Sequence, residues 1–220
     1  MGAAISDLIR AIETADSKGA MVGAVNSLAT ARDIDAIPTL ITVLGYNNPG
    51  AAVAAVDGLV ALGREAVPAL LEQIDGYNYG ARAWAIRALA LIGDPRALPV
   101  LLETAKGDFA LSVRRAAARG LGSIDWSRLP VDQVASRQAD VLEVLVQAAV
   151  DPEWVVRYAA VAGIQSLATA LVDPAQQTPA ILAILHQACQ HDDTPAVQAR
   201  AHLALEVLAT DENRLHQTPL

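Results

Sequence analysis

The chain has 220 residues, of which 53% are hydrophobic and 18% are charged, and its net charge at pH 7 is −8. This composition is typical of a folded chain with a sizeable core. The acidic balance argues against nucleic acid as the main partner, because a phosphate-binding surface needs excess Lys and Arg. No apolar run reaches the roughly 18 residues of a membrane span, and the N-terminus lacks a signal-peptide pattern. We therefore expect a cytoplasmic protein with no membrane partner.

Short repeats dominate the chain and predict its fold. The pairs Ile37-Pro38, Val67-Pro68 and Leu98-Pro99 each open an apolar helical run, at spacings of 30 and 31 residues. A marker alanine recurs at Ala24, Ala55, Ala85, Ala117, Ala160 and Ala201. Each repeat is predicted to hold an A helix with proline in its first turn and a B helix that ends near glycine. Because an all-α bundle would not demand this phase, we predict an all-α, right-handed solenoid of about six helix pairs.

Two stretches lengthen the later repeats. The extra residues lie at 125–138, "DWSRLPVDQVASRQ", and around 171–179, "LVDPAQQTP". Both are predicted to be loops inserted between helices. We expect a single domain that spans residues 1–220.

The cysteine and its neighbouring histidines do not indicate a metal site. Cys189 is the one cysteine of the chain, which excludes an internal disulfide and a cysteine-based metal cluster. His186 and His191 flank it at spacings that do not share one helix face. We therefore predict no bound metal.

One set of arginines has a structural explanation. Arg82, Arg114 and Arg157 each lie three residues before a marker alanine, and Asp108 and Asp151 come six residues before the latter two. Such an Asp and Arg recurrence is typical of ladders that cap B helices and hydrogen-bond to the adjacent repeat.

A second set lacks that explanation. Arg87 and Arg119 lie two residues after a marker alanine, and Arg115 comes one turn before Arg119. These side chains are expected on another face of the B helices. Seven of the eight aromatic residues lie between Tyr77 and Tyr158. Core packing is the alternative for any single ring, but rings beside guanidinium groups suit a flat, conjugated, anionic ligand or an anionic patch on a protein partner.

Residues 77–126, "YNYGARAWAIRALALIGDPRALPVLLETAKGDFALSVRRAAARGLGSIDW", resemble the central repeats of the phycobilin lyases of the E/F type, and most of all the smaller, F-type subunits. The surrounding repeats resemble the HEAT-like repeats of that family. The resemblance implies a heterodimer with a larger E-type subunit. It also implies attachment of phycocyanobilin, through a thioether, to a cysteine of the phycocyanin α subunit of the cyanobacterial phycobilisome, a complex used in photosynthesis.

The chemistry implied by the resemblance needs no nucleophile and no permanently bound cofactor from this chain. The acceptor supplies the attacking thiolate, and the ethylidene group of the bilin substrate is the electrophile. Some relatives that isomerise the bilin carry an adjacent His-Cys pair, which this chain lacks, so ligation without isomerisation is expected. The alternatives are a non-catalytic scaffold or chaperone for the apo-phycobiliprotein, a lyase for another bilin, and a bilin-detaching protein.

The resemblance also assigns roles to the residues singled out above. The rings expected to enclose the bilin are Tyr77, Tyr79, Trp84, Phe109, Trp154 and Tyr158. The arginines that would compete for its two propionates are Arg82, Arg87, Arg114, Arg115 and Arg119. Asp108 is expected to bond pyrrole nitrogens or to donate the proton. The apolar C-terminal repeats, with "ILAILHQACQHDD" and "ARAHLALEVLA", are candidates for the contact with the partner subunit.

Overall fold

A computed structural model describes residues 3–74 and 79–216 of the chain, and within these ranges every regular element is helical. The helices alternate between an A set and a B set. The A helices are α1 (Ala3–Glu13), α3 (Ile37–Leu44), α5 (Val67–Ile74), α7 (Leu98–Gly107), α9 (Val131–Ala148) and α11 (Pro174–His191). The B helices are α2 (Lys18–Thr30), α4 (Pro49–Leu62), α6 (Tyr79–Ile92), α8 (Leu111–Leu121), α10 (Trp154–Ala168) and α12 (Pro195–His216). The prediction of an all-α fold with six helix pairs is confirmed.

Proline and glycine set the helix ends as the repeats predict. Pro38 occupies the first turn of α3, where its missing N–H leaves no hydrogen bond unmade. The B helices α4 and α6 are followed by Gly63 and Gly93, whose φ angles are 64° and 67°. This left-handed backbone is strained for residues with a Cβ, so glycine stops these helices and turns the chain.

The chain divides into two compact units, Met1–Ala97 and Leu98–Leu220. Each unit has its own aliphatic core, so each can be described by itself. In the first unit α2, α4 and α6 pack in sequence, and in the second α8, α10 and α12 do so. The fully buried core side chains include Leu28, Leu40, Leu59 and Ile86 in the first unit and Leu101, Leu121, Leu145 and Ile164 in the second. The single-domain organisation stays a prediction.

Small residues near the markers let the B helices approach closely. A Cβ placed on Gly58 of α4 would lie 2.7 Å from the Cβ of Ala29, next to the end of α2. A Cβ placed on Gly163 of α10 would lie 2.6 Å from the carbonyl oxygen of Ala118 on α8. Both distances are shorter than van der Waals contact, so these two positions admit only glycine at the observed helix separation.

The prediction of two inserted loops is wrong for most of the residues concerned. Apart from residues 125–130, which hold the 3₁₀ turn Trp126–Arg128, the first stretch is the beginning of α9. Much of the second is the first turns of α11, which contain Pro179. The added residues therefore lengthen A helices to 18 residues each, against 8 to 11 for the earlier ones. No helix in the described part of the chain is long and apolar enough to cross a membrane.

Candidate functional site

The predicted Asp and Arg ladder is present in the second unit. Arg114 Nε and Nη2 donate to the two carboxylate oxygens of Asp151 at 2.8 and 3.1 Å, while Nη1 donates to the carbonyl of Asp108 at 2.8 Å. Arg157 repeats this arrangement one step later, since its guanidinium donates to Asp192 at 2.8 and 2.9 Å and to the carbonyl of Asp151 at 3.0 Å. The ladder prediction is confirmed for Arg114 and Arg157.

The ladder carboxylates also organise the starts of the B helices. Oδ1 of Asp151 accepts the backbone N–H of Glu153 at 2.8 Å, and Oδ1 of Asp108 accepts that of Ala110 at 2.8 Å. Burial by itself would raise the pKa of Asp151, but the hydrogen bonds from Arg114 and Glu153 outweigh it and hold that pKa below its usual value. The pKa of Asp192 is lowered in the same way by Arg157, against the effect of burial. Both carboxylates are therefore charged structural groups.

The loop before α8 displays an aromatic ring to solvent. Phe109 follows Asp108, and its side chain is 69% exposed. Arg114 Nη1 contacts the carbonyls of both residues, at 2.8 Å for Asp108 and 3.3 Å for Phe109, and thereby fixes this loop to the helix. Phe109 is not part of the core, so the core-packing alternative is wrong for this ring.

The exposed face of the second unit combines rings and guanidinium groups. On α8, Leu111, Arg115 and Arg119 are exposed at successive turns, and on α10 the exposed positions include Trp154 and Tyr158. The two rings are 45% and 41% exposed, so they too lie outside the core. The structure thus brings together Phe109, Arg115, Arg119, Trp154 and Tyr158 on the B-helix side of one unit. By contrast, Trp126 is 8% exposed and belongs to the core.

In the first unit, α6 carries the remaining predicted residues. Trp84 is half-buried and Arg87 is exposed, with its guanidinium carbon 5.7 Å from the centre of the Trp84 ring, a cation–π contact. Arg82 is half-buried on the same helix. Tyr77 lies outside the described residues, as does the side chain of Tyr79, the first residue of α6. How these positions serve a ligand stays a prediction.

Sequence reasoning missed Arg200 on α12. Its Nη2 donates to Oε1 of Gln165 on α10 at 2.6 Å, and its side chain is half-buried. Burial lowers the pKa of Arg200, and the nearby charge of Arg119 lowers it further, whereas Tyr158 acts in the opposite direction. A signal was available, because Arg200 directly precedes the marker Ala201, where four of the other five repeats carry Gly or Ala.

A cavity of about 480 Å³ lies beside the ladder of the second unit. Its lining includes Val150, Arg157, Ile184, Gln187 and His191, from the end of α9, from α10 and from α11. The predicted rings and the exposed arginines of α8 do not line it. The B-helix face of this unit is therefore an open surface, distinct from that cavity.

Comparisons with known proteins support a specific family. A family model described as HEAT repeats matches residues 47–122 and 67–165. The phycocyanin alpha phycocyanobilin lyase CpcF of Synechocystis sp. (PCC 6803) is 59% identical over 164 residues, which cover 74% of this chain and 77% of that protein. The phycobilisome maturation protein of Synechococcus elongatus (PCC 7942) is 52% identical over 207 residues, or 93% and 98% of the two chains.

A solved structure extends the similarity to three dimensions. The chain matches one chain of the complex of CpcE and CpcF of phycocyanin lyase from Nostoc sp. PCC7120 with a TM-score of 0.72 and 50% identity. The match covers 79% of this chain and 99% of the other.

Proposed function

The chain belongs to the phycobilin lyases of the E/F type, with HEAT repeats, and we propose that it is the smaller subunit of a heterodimeric phycocyanobilin lyase. In this proposal it works with a larger E-type subunit and attaches phycocyanobilin to a cysteine of the phycocyanin α subunit. The bilin is a substrate, and no cofactor stays bound between turnovers. The site of action is the cytoplasm, and the bilin is not isomerised during attachment.

One observation carries the proposal from the residues themselves. The exposed B-helix face of the second unit holds Trp154, Tyr158, Arg115 and Arg119, with Phe109 displayed on the preceding loop. An acidic chain that exposes large rings beside guanidinium groups presents a surface for a conjugated anion. A linear tetrapyrrole with two propionates has this chemistry.

The reaction asks the chain for positioning more than for covalent chemistry. The acceptor sulfur adds to the ethylidene group of bilin ring A, a C–S bond forms, and the π electrons move into the conjugated ring. A proton then returns to the bilin, so the thiol adds across the double bond and nothing leaves. Holding the bilin so that ring A meets the incoming sulfur is the main source of acceleration. Asp108 is proposed to bond pyrrole nitrogens or to supply the proton.

The ladder divides the arginines between two tasks. Arg114 uses its guanidinium on Asp151 and on the loop of Phe109, so it is proposed to position that ring. Arg82 occupies the equivalent position on α6. The exposed Arg87, Arg115 and Arg119 are then the proposed partners of the propionates. Two carboxylates need no more than these three groups.

The proposal is tested by co-expression with the larger lyase subunit, a bilin-producing pathway and the phycocyanin α subunit. Covalent chromophore on the α subunit is compared with and without this chain, and thioether-bound phycocyanobilin is expected only when it is present. An unchanged yield with a folded larger subunit would contradict the lyase function. A scaffold is distinguished by titration with free phycocyanobilin, because a chain that docks only the apo-protein would not shift the absorption of the bilin.

The arginine assignment has its own test in the same assay. Arg87→Ala and Arg119→Ala are each expected to lower the transfer yield about tenfold, the effect of one lost charge-assisted hydrogen bond at a partly exposed site. Arg137→Ala, on the A helix α9, removes an exposed arginine that pairs with Asp140 and serves as the matched control. If both B-helix variants transfer bilin as well as the control, the propionate assignment is wrong.

A further inference from the structure

Two arginines of the second unit converge on one turn of α10. Arg119 reaches α10 from α8, where its Nη1 donates to Oγ of Ser166 at 3.1 Å. Arg200 reaches it from α12, where its Nη2 donates to Oε1 of Gln165 at 2.6 Å. Because Gln165 and Ser166 are neighbours, the two guanidinium groups are held on adjacent positions of the same helix. Tyr158 lies two turns before Gln165, on the same face of α10.

Neither arginine has a carboxylate partner among the described side chains. The other half-buried arginines of α8 and α10 do have such partners, since Arg114 pairs with Asp151 and Arg157 pairs with Asp192. The hydroxyl and amide that hold Arg119 and Arg200 orient the two cations without neutralising them. This contrast separates the pair from the ladder.

Arg200 also has a donor that the described protein atoms do not satisfy. Its Nη1 is buried and makes no hydrogen bond to any residue within the described part of the chain. A buried donor of a charged group is costly to leave unpaired, and such groups are normally explained by an ion or ligand. Burial and the charge of Arg119 both lower the pKa of Arg200, which indicates that the two cations lie close enough to repel each other.

We propose that Arg119 and Arg200 together bind one carboxylate of the bilin substrate, beside the ring of Tyr158. The inference rests on the proposed function and adds to it a residue on α12. A carboxylate between the two guanidinium groups accepts from the buried Nη1 of Arg200 and removes the repulsion between the cations. Gln165 and Ser166 set the position of the pair. The bilin therefore reaches across α8, α10 and α12.

The position of Arg200 in its repeat fits this role. The residue before the marker alanine is Gly or Ala in four repeats, as the close packing of B helices requires. The two repeats with large residues at this position carry Trp84 and Arg200. Both side chains are half-buried at the edge of a B helix rather than in the core.

The test measures binding of phycocyanobilin and of its dimethyl ester to the complex of this chain with the larger subunit, by the shift in bilin absorption. The proteins compared are wild type, Arg200→Met, Arg200→Lys, Arg119→Met and the double Met variant, with Arg137→Met as the matched control. Wild type is expected to prefer the free acid. Arg200→Met is expected to weaken binding of the acid about tenfold and that of the ester little.

Further outcomes discriminate between a shared site and a structural role. The double variant is expected to lose little more than Arg119→Met alone, because both arginines serve one carboxylate. Arg200→Lys keeps the charge and is expected to recover part of the preference for the acid, which keeps the test valid if the Met variant does not fold. Equal effects of Arg200→Met on acid and ester, or no effect on either, would overturn the assignment. Absence of any bilin binding by the wild-type complex would instead contradict the proposed function.

Discussion

Removal of the Asp151 charge tests whether the ladder holds the second unit together. In Asp151→Asn the side chain keeps its size and one oxygen for the N–H of Glu153, but Arg114 loses a bidentate carboxylate. The exposed fractions of the Arg114 and Asp151 side chains are 15% and 10%, so solvent does not replace the lost partner well. The variant therefore leaves a poorly solvated cation.

The expected loss follows from this geometry. Breaking a buried ion pair by removal of one partner costs about 3–5 kcal/mol. The amide oxygen retained in Asp151→Asn still accepts one hydrogen bond, so we expect a loss of about 2–3 kcal/mol in the free energy of unfolding of the second unit. Asp140→Asn breaks the Arg137 pair, in which the side chains are 46% and 50% exposed, and is expected to cost less than about 1 kcal/mol.

Urea unfolding followed by far-ultraviolet circular dichroism measures both variants against wild type. Arg114→Met and the Arg114→Met, Asp151→Asn double variant complete a cycle, in which the double is expected to be more stable than the sum of the single losses predicts. The reasoning is refuted if Asp151→Asn is no more destabilising than Asp140→Asn. Additive single effects would likewise show that the two side chains do not act as one unit.

Three other predictions follow from particular contacts. Gly163→Ala forces α8 and α10 apart and is expected to destabilise the protein by about 1–3 kcal/mol, whereas Gly23→Ala, where an added Cβ meets nothing within 4 Å, is expected to be neutral or stabilising in thermal unfolding. Asp151 and Asp192 have folded pKa values below the ordinary 3.8, so their contribution to stability is present above that pH and lost as the pH falls through the folded values. A urea midpoint that does not fall below about pH 4 would contradict this. Phe109→Ala is expected to weaken bilin binding without a change in thermal midpoint, since the ring is 69% exposed; a lowered midpoint would mean that the ring is structural.

The division of labour among the arginines matters for interpreting variants of this family. Arg114 and Arg119 lie on the same helix, but one is paired with Asp151 and the other with the hydroxyl of Ser166. Loss of Arg114 activity would therefore combine misfolding with misplacement of Phe109. Loss at Arg119 is expected to report on the ligand. Stability measurements have to accompany activity measurements for each of these positions.

Local sequence determined the helix pairs because the signals for their ends are local. Pro38 suits a first helical turn, and Gly63 and Gly93 adopt positive φ that other residues avoid. The added residues of the later repeats were misjudged as loops for the same reason. Pro130 indicates a break, and the chain does turn there, but the residues after it continue as helix because they bury Val134 and Gln138.

The sequence alone was also enough to predict the ladder, since Asp108, Asp151, Arg114 and Arg157 recur at one spacing and a repeat places equal positions on equal contacts. Only the tertiary structure decided which cations remain without a carboxylate. Arg200 meets Gln165 and approaches Arg119 because α8, α10 and α12 stack side by side, which joins residues that are far apart in the chain. Repeat periodicity fixes the phase of a side chain on its own helix, whereas its neighbours across the stack depend on how closely the helices pack.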